Sequence, residues 1–333
     1  MNAPMPPSKP ATLHDVARVA GVSLITASRA LGNPGVVSAS TIERVRLAVE
    51  ATGYIPNLLA GGLKSRRSRM VAGIVPALAV AQFLPSVQTL TDVLAAEGYQ
   101  LLLGQTGYDA AREEAVLNTM LSRRPDGIVF TGLVHGAAVR ARLRRTGVPV
   151  VETWDMTADP VDMLVGFSQA QVGQAVGAFF RARGWQRVGI ATGGDPRALQ
   201  RKDGFEAAFG RRVPTAQVPA PSSLERGRSA LAELLECEPA LQAVACSSDQ
   251  LAQGVLVEAQ ARGLHVPRQL AVCGFGNADF AAHLVPALTT VLIDGPAIGR
   301  QAARLVLARC RGEPVEQRIV DVGFRIVERV STA

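Results

Sequence analysis

One arginine near the N-terminus and a pair of arginines farther along the chain have the type and spacing needed for specific chemistry. Arg29 lies close to Leu24 and Ile25. Its guanidinium group can donate two parallel hydrogen bonds to guanine, while the leucine and isoleucine can contact thymine methyl groups. Farther along, Arg197 and Arg201 stand at the start of a segment predicted to be helical. Guanidinium groups bind carboxylates in a bidentate manner, so the pair of Arg197 and Arg201 indicates an anionic ligand.

Arg29 lies in the second of two short helices predicted near the N-terminus. Thr12 and Asp15 form a capping-box pattern at the start of the first helix, which a glycine ends. Ser23 is the predicted N-cap of the second helix, which spans residues 24–31. Two short helices joined by a tight turn that contains glycine form a helix-turn-helix, whose second helix lies in the major groove of DNA.

A third helix and a surplus of positive charge complete this N-terminal part, here called the head (residues 12–56). Ser40 and Glu43 match a capping box for the third helix, and Gly53 ends it. Residues 1–69 contain nine basic and three acidic side chains, a formal charge of +6, whereas the other 264 residues carry +1. A small basic unit on a neutral chain indicates a module that binds a polyanion such as DNA.

The remainder of the chain, here called the body (residues 70–333), alternates short apolar runs with segments of helical period. This pattern predicts parallel sheets covered by helices, and the number of strands fits two doubly wound subdomains. Ligands of such folds bind at the carboxyl ends of the strands, in the cleft between the subdomains. The predicted strands cover residues 71–75, 100–103, 127–130, 148–152, 188–191, 243–246, 271–275 and 290–293.

The sequence argues against several other classes of protein. It contains no phosphate-binding G-x-x-x-x-G-K-[ST] motif and no G-x-S-x-G nucleophile elbow, and residues 274–279 break the dinucleotide-binding fingerprint. The four cysteines are scattered away from the histidines, which favours reduced thiols in a cytoplasmic protein over a zinc site. No apolar run is long enough to span a membrane. We therefore expect a sensor without a cofactor or metal, and not an enzyme.

The head resembles the lactose-repressor family of transcription factors. The resemblance rests on residues 12–23, 26–31 and 53–57, and it continues through 60–63 into the first strand of the body. It implies a sequence-specific regulator, a repressor, that binds operator DNA. The residues expected to contact DNA are Thr12, Leu13, Ser23, Leu24, Ile25, Thr26, Ser28, Arg29, Asn33, Ser38, Tyr54, Asn57, Ala60, Leu63 and Lys64.

The segment after the head corresponds to the hinge of that family, which becomes helical on DNA. By position, Leu63 is the residue that wedges into the minor groove, with Ala60 beside it, and such wedges bend the duplex. This chain departs from the family at Gly61 and Gly62, which together cost about 1.5–2 kcal/mol of helix propensity relative to alanine. We expect this hinge to fold only when both the partner subunit and the operator are present.

The body resembles the effector-binding core of the same family, which is similar to periplasmic sugar-binding proteins. Residues 98–100, 151–155, 162–167 and 274–276 look most like the gluconate-repressor subgroup, which implies a sugar-acid effector. The residues expected to bind it are Gln82, Phe83, His135, Glu152, Asp155, Phe167, Arg197, Arg201, Ser248 and Asn277.

One departure in the body favours an anionic effector. Sugar-binding members of the family often place an aspartate after the Gly-Phe or Gly-Tyr of the late strand, whereas this chain has Gly276 and then Asn277. A carboxylate that would bind sugar hydroxyl groups is therefore missing. Its loss is compatible with an anionic ligand, because a buried aspartate beside a ligand carboxylate would be repulsive.

The resemblance also implies the organisation of the chain. We expect a disordered lead at 1–11, the helix-turn-helix domain at 12–56 and a hinge helix with linker at 57–69. The body then divides into an N-subdomain (about 70–165 and 292–321) and a C-subdomain (about 166–291 and 322–333). A homodimer would read a pseudo-palindromic operator, and nothing in the last residues suggests a tetramerising tail.

Three alternatives stay open from the sequence. Within the family, the effector is a neutral sugar, a phosphorylated sugar or a purine. Outside it, the chain is a stand-alone sugar-binding protein, against which the basic head argues. The third is a cleft enzyme with a nucleotide cofactor, which nucleotide-binding measurements would test.

Overall fold

The computed structural model describes residues 11–55, 67–78, 80–134 and 136–333. The chain forms two compact units that divide between Ser68 and Arg69, so the head and the body are separate. Nearly all of the expected lead and most of the expected hinge lie outside the described residues, as do Asn57, Ala60, Leu63, Lys64 and His135. Within the described ranges, no helix has the length and apolar character needed to cross a membrane.

The head consists of three helices with well-defined ends. They are α1 (Leu13–Ala20), α2 (Leu24–Gly32) and α3 (Ala39–Thr52). The Asp15 carboxylate accepts hydrogen bonds from the Thr12 backbone N–H at 3.0 Å and hydroxyl at 2.8 Å. Ser23 caps α2 by accepting from the Thr26 backbone N–H at 3.2 Å. These contacts confirm the predicted helix-turn-helix.

The predicted cap of the third helix is wrong. The N-cap of α3 is Ser38, whose hydroxyl donates to the Thr41 hydroxyl at 2.9 Å. Glu43 instead accepts from Arg46 Nε one turn farther along, at 2.9 Å. The salt bridge competes with the capping interaction for the same carboxylate. Five small or branched side chains form the buried core of the head: Val16, Ala20, Ala30, Val45 and Ala48.

The first sheet of the body contains six strands, all parallel. They are β1 (Met70–Val75), β2 (Gln100–Gln105), β3 (Gly127–Thr131), β4 (Val150–Thr153), β5 (Met163–Gly166) and β11 (Ile319–Asp321). Their order is β11-β5-β4-β3-β1-β2. The helices that cover it are α4 (Leu84–Ala96), α5 (Ala110–Ser122), α6 (Ala137–Thr146) and α11 (Gly295–Arg311).

The second sheet also has six strands, of which one edge strand is antiparallel. They are β6 (Val188–Gly193), β7 (Thr215–Val218), β8 (Ala243–Cys246), β9 (Ala271–Phe275), β10 (Thr289–Leu292) and β12 (Arg325–Val327). Their order is β12-β10-β9-β8-β6-β7, with β12 antiparallel to β10. The surrounding helices are α7 (Gln169–Ala182), α8 (Pro196–Phe209), α9 (Leu224–Cys237) and α10 (Asp249–Ala261).

The chain passes between the two sheets three times, after β5, after β10 and after β11. The predicted pair of doubly wound sheets is confirmed, but four strands were not predicted: β5, β7, β11 and β12. Strands β11 and β12 are only three residues long at sheet edges, and β7 is an edge strand with an exposed Gln217. Such segments lack the apolar run that identifies a buried strand.

Candidate functional site

The second helix of the head presents a polar and apolar face to solvent. Ser28 and Arg29 are exposed, and Ile25 keeps 64% of its surface accessible. Ala27 and Ala30, on the opposite face, are buried against the head. The exposed face carries the donors and apolar tips that base recognition requires.

The remaining predicted DNA contacts on the head fall into two groups. Thr12, Ser23, Leu24, Asn33 and Ser38 are exposed, which leaves their side chains open to a ligand. Leu13, Thr26 and Tyr54 are half-buried, and Leu13 and Tyr54 pack against the head core. These last two side chains therefore contribute to the stability of the head as well as to its surface.

The body contains a cavity where the carboxyl ends of strands from both sheets meet. The first sheet and its loops contribute Val80, Ala81, Gln82, Phe83, Tyr108 and Trp154. The second sheet and its loops contribute Gly193, Asp195, Arg197, Arg201, Ser222, Ser247, Ser248, Asp249, Gln250, Phe275, Gly276 and Ala278. Gln169, at the start of α7, lies between the two groups. The cavity therefore occupies the position at which ligands bind in doubly wound folds.

Arg201 is held firmly at the floor of the cavity. It donates to Gln169 Oε1 and to the Ser247 carbonyl oxygen, the latter at 3.1 Å, and its guanidinium carbon lies 4.0 Å from the Phe275 ring centroid. Burial lowers the pKa of Arg201 to about 10, although nearby Asp195 opposes the shift. Its Nε is buried and has no hydrogen-bond partner among the described residues.

Close packing of α7 against α8 fixes the position of Arg201. A Cβ atom on Gly173 would lie 1.9 Å from the Arg201 carbonyl oxygen, and one on Gly204 would lie 2.1 Å from the Ala170 carbonyl oxygen. Only glycine permits this approach at either position. The two helices consequently bring Arg201 next to Gln169.

Arg197 lies one turn before Arg201 on α8 and faces the same cavity. Its guanidinium carbon lies 5.0 Å from the Phe83 ring centroid, and its Nε is 3.9 Å from Asp195 Oδ1. Asp195 is also the N-cap of α8, where it accepts from the Ala198 backbone N–H at 3.2 Å. Nη1 of Arg197 is buried and, within the described part of the chain, has no hydrogen-bond partner. Both arginines thus line one cavity, and each has one buried nitrogen that lacks a hydrogen-bond partner among the described residues.

A row of aromatic rings runs from the first sheet to the second beneath the cavity. Ring centroids are 5.0 Å apart for Phe83 and Trp154, 6.0 Å for Trp154 and Phe167, and 6.3 Å for Phe167 and Phe275. Trp154 Nε1 donates to the Ser86 hydroxyl at 3.0 Å. Phe167 is fully buried behind the lining residues, so it supports the wall and is not part of the lining, contrary to the expectation.

Asp249 is the most buried carboxylate in the lining, with 3% of its surface accessible. It accepts from the Ala278 backbone N–H and from the Thr290 hydroxyl, both at 2.6 Å. Burial raises the pKa of Asp249 to about 6. The N-cap of α10 is Ser248, whose hydroxyl accepts from the Leu251 N–H at 3.2 Å, so the Asp249 carboxylate does not cap this helix.

Three other expected residues lie elsewhere. Glu152 is fully buried away from the cavity, where its carboxylate accepts from the backbone N–H groups of Val134 and Val161 at 2.8 and 2.7 Å. Asp155 lines an adjoining pocket that shares Arg197 with the main cavity. The Asn277 side chain turns outward, to Arg329 Nη2 at 2.8 Å. Asp155 and Asn277 follow strands as predicted and Glu152 lies within β4, but none of the three side chains lines the cavity.

Several lining residues were not predicted from the sequence. Tyr108 follows β2, Asp195 follows β6 and Gln169 opens α7. The sequence does carry a signal for Asp195: an Asp-Pro pair after a strand indicates the start of a helix at the carboxyl edge of a sheet. In the ranges that the structure describes, no group of His, Cys, Asp and Glu side chains is arranged to hold a metal ion.

Gly276 follows Gly274-Phe275 at the end of β9, the position that distinguishes this chain in the sequence analysis. Its φ of 121° is a conformation that other residues rarely adopt, and an added Cβ would approach Gln82 Cβ and Oε1 to 3.2 Å. A side chain at this position would be both strained and crowded. The lining therefore lacks a carboxylate here, as expected from the sequence.

Comparison with known proteins identifies relatives along the whole chain. Residues 12–57 match the bacterial regulatory proteins of the lacI family, and residues 178–332 match a periplasmic binding protein-like domain. The HTH-type transcriptional regulator GntR of Pseudomonas aeruginosa is 36% identical over 96% of this chain and 95% of its own length.

Two crystal structures extend the comparison. A LacI-family transcriptional regulator from Silicibacter pomeroyi has a TM-score of 0.90 at 34% identity, covering 97% of this chain and 99% of that one. The lac repressor dimer bound to operator has a TM-score of 0.83 at 22% identity over 97% of this chain and 99% of that one, which shows a shared fold. All of these proteins are named regulators or repressors rather than enzymes.

Proposed function

Since the chain belongs to the lacI family of bacterial regulatory proteins and is a DNA-binding transcriptional regulator of the repressor type, we propose that a sugar acid such as gluconate controls its affinity for operator DNA. The cavity in the body is the proposed effector site. The observation that carries this proposal is the pair Arg197 and Arg201, which line one cavity and each hold a buried nitrogen donor without a hydrogen-bond partner among the described residues.

A carboxylate is the ligand group that best satisfies these donors. It accepts charge-assisted hydrogen bonds from both guanidinium groups and offsets the burial that lowers the pKa of Arg201. Gly276 leaves the lining without one carboxylate that would repel it. Gln82, Ser222 and Ser248 offer donors and acceptors for hydroxyl groups. A polyhydroxylated acid therefore matches the lining better than a neutral sugar does.

The exposed face of α2 is the surface proposed to contact the bases of the operator, with Arg29 at the base edges. A homodimer would present two such helices to a pseudo-palindromic operator, as in the lac repressor dimer bound to operator, and the hinge residues Ala60, Leu63 and Lys64 would enter the minor groove. Asn57 and His135 retain their proposed roles at the DNA and at the effector.

Coupling between the two sites follows from the construction of the body. We assign an N-subdomain to about 70–165 and 292–321 and a C-subdomain to about 166–291 and 322–333. The cavity takes side chains from both sheets, so a bound ligand favours the arrangement of subdomains that contacts it best. The change in operator affinity can be no larger than the difference in ligand affinity between the two arrangements.

Isothermal titration calorimetry with gluconate and sorbitol tests the proposed ligand class. The two molecules have the same carbon chain length and differ at the carboxylate. Loss of charge-assisted hydrogen bonds to two guanidinium groups predicts that sorbitol binds about a hundredfold more weakly. Equal binding of sorbitol, or tighter binding of a phosphorylated sugar or a purine, would show that the effector belongs to another class.

A further inference from the structure

The wall of the cavity formed by residues 276–278 adopts an unusual backbone conformation. Gly276 and Ala278 line the cavity, whereas Asn277 between them does not. Asn277 has a φ of 50°, in the left-handed region that side chains other than glycine seldom occupy. This segment needs outside support to keep its shape.

On the side that faces the cavity, Asp249 and Thr290 hold residues 276–278 by hydrogen bonds. The Ala278 backbone N–H donates to Asp249 Oδ2 at 2.6 Å. The Thr290 hydroxyl donates to Asp249 Oδ1 at 2.6 Å and accepts from the Asn277 backbone N–H at 3.3 Å. These contacts fix the backbone and leave the amide group of Asn277 to be held from elsewhere.

On the outer side, one residue near the C-terminus holds that amide group. Arg329 Nη2 donates to Asn277 Oδ1 at 2.8 Å, and Nη1 donates to the Leu288 carbonyl oxygen at 2.7 Å. The Arg329 backbone N–H donates to the Thr289 hydroxyl at 2.8 Å. The guanidinium group therefore connects the cavity wall to the residue that precedes strand β10, and the Arg329 backbone is bonded to the first residue of that strand.

The last residues are themselves anchored. The Ser331 hydroxyl donates to the Val272 carbonyl oxygen at 2.6 Å and accepts from the Thr289 backbone N–H at 2.8 Å. Ser331 and Thr332 are almost completely buried. Arg329 thus extends from a fixed point, which a positioning residue requires.

We propose that Arg329 is a positioning residue for effector binding: its hydrogen bond to Asn277 keeps residues 276–278 in the shape that forms the cavity wall. In this role Arg329 touches no ligand atom, and it is separate from Arg197 and Arg201 in the cavity lining. Its effect on effector affinity rests on the proposed function, whereas its effect on the wall does not.

Amide hydrogen exchange of the full-length protein without ligand tests the effect on the wall. Arg329→Ala is expected to speed exchange at the Asn277 and Ala278 amides by about tenfold, the effect of losing one hydrogen bond to a charged group. Arg329→Lys keeps a cationic donor and is expected to restore most of the protection. Glu328→Ala is the matched control, because it removes an ion pair of the same tail, to Arg183, without removing the Arg329 guanidinium group, and it is expected to leave these two amides unchanged.

Titration with gluconate tests the consequence for binding. Arg329→Ala is expected to raise the Kd about tenfold. In an Asn277→Gly background the same change is expected to have less than about a twofold effect, because glycine adopts a positive φ without support. Unchanged exchange in Arg329→Ala, or equal acceleration in Glu328→Ala, would overturn the positioning role. If the wild type binds no gluconate, the proposed effector is wrong, and the exchange data still decide the role of Arg329.

Discussion

Replacement of Arg201 by methionine tests the effector site most sharply, because the side chain keeps its length but loses its charge. The ligand carboxylate would lose its bonds to this guanidinium group and retain Arg197 alone. Removing one partner of a buried, hydrogen-bonded charge pair costs about 2–4 kcal/mol, so the Kd for gluconate is expected to rise roughly 30- to 1000-fold.

The Arg201→Met protein should be moderately less stable than the wild type. The substitution leaves Gln169 Oε1 and the Ser247 carbonyl oxygen without this donor, but it also removes a charge whose burial lowers its pKa to about 10. A buried acceptor without its donor costs about 1–3 kcal/mol, and removal of the desolvated charge offsets part of this, so the free energy of unfolding should fall by no more than about 3 kcal/mol.

Calorimetry for gluconate binding and urea denaturation for stability measure the two effects separately. Arg211→Met is a matched control, because Arg211 lies 5.8 Å from the Phe209 ring centroid and also donates to a backbone carbonyl oxygen, but it does not line the cavity. Wild-type gluconate affinity in Arg201→Met would refute the assignment of the carboxylate to this cavity. An equal loss of affinity in Arg211→Met would refute it as well.

Three more predictions concern a buried carboxylate, the DNA-reading helix and the cavity wall. Burial raises the pKa of Asp249 to about 6 from 3.8, so the folded state holds this proton more tightly than the unfolded state, and stability falls as pH rises from about 4 to above 6. Over this pH range, the free energy of unfolding measured by urea denaturation should fall by on the order of 3 kcal/mol more in the wild type than in Asp249→Asn. The same pH dependence in both proteins would contradict this expectation. Arg29→Ala should weaken specific operator binding by about 1–3 kcal/mol and relax sequence preference in a gel shift, whereas unchanged affinity would show that α2 does not read bases. Gly276→Ala and Gly276→Asp both strain the backbone, but only the aspartate adds a charge, so calorimetry should give about tenfold weaker gluconate binding for Asp than for Ala; equal Kd values would mean that charge at this position is irrelevant.

The head was predictable because its signals are local. Thr12, Asp15 and Ser23 cap helices within one turn of the chain, and Gly21 and Gly53 adopt φ values of 62° and 65° that end them. The error at Ser40 and Glu43 arose because a capping box and a salt bridge to Arg46 are both local options for one carboxylate. Sequence pattern alone does not rank these two interactions.

The position of the cavity was predictable, but the direction of its side chains was not. Parallel strands bring their carboxyl ends to one edge, so Gln82, Phe83, Arg197, Arg201 and Ser248 meet in the cavity as expected. Side-chain direction depends on contacts made far along the chain. Glu152 turns to the Val134 and Val161 amides and Asn277 to Arg329, which is 52 residues away.

A sugar acid bound in the body is proposed to control the affinity of the head for operator DNA. Fluorescence anisotropy with labelled DNA from the protein's own promoter, recorded with and without saturating gluconate, measures that control. We expect specific binding with a Kd that changes at least about tenfold with gluconate, a coupling of ordinary size for two linked sites, and that does not change with sorbitol. The same operator affinity with and without saturating gluconate, in a protein that binds this DNA specifically, would show that the body does not regulate the head through this ligand.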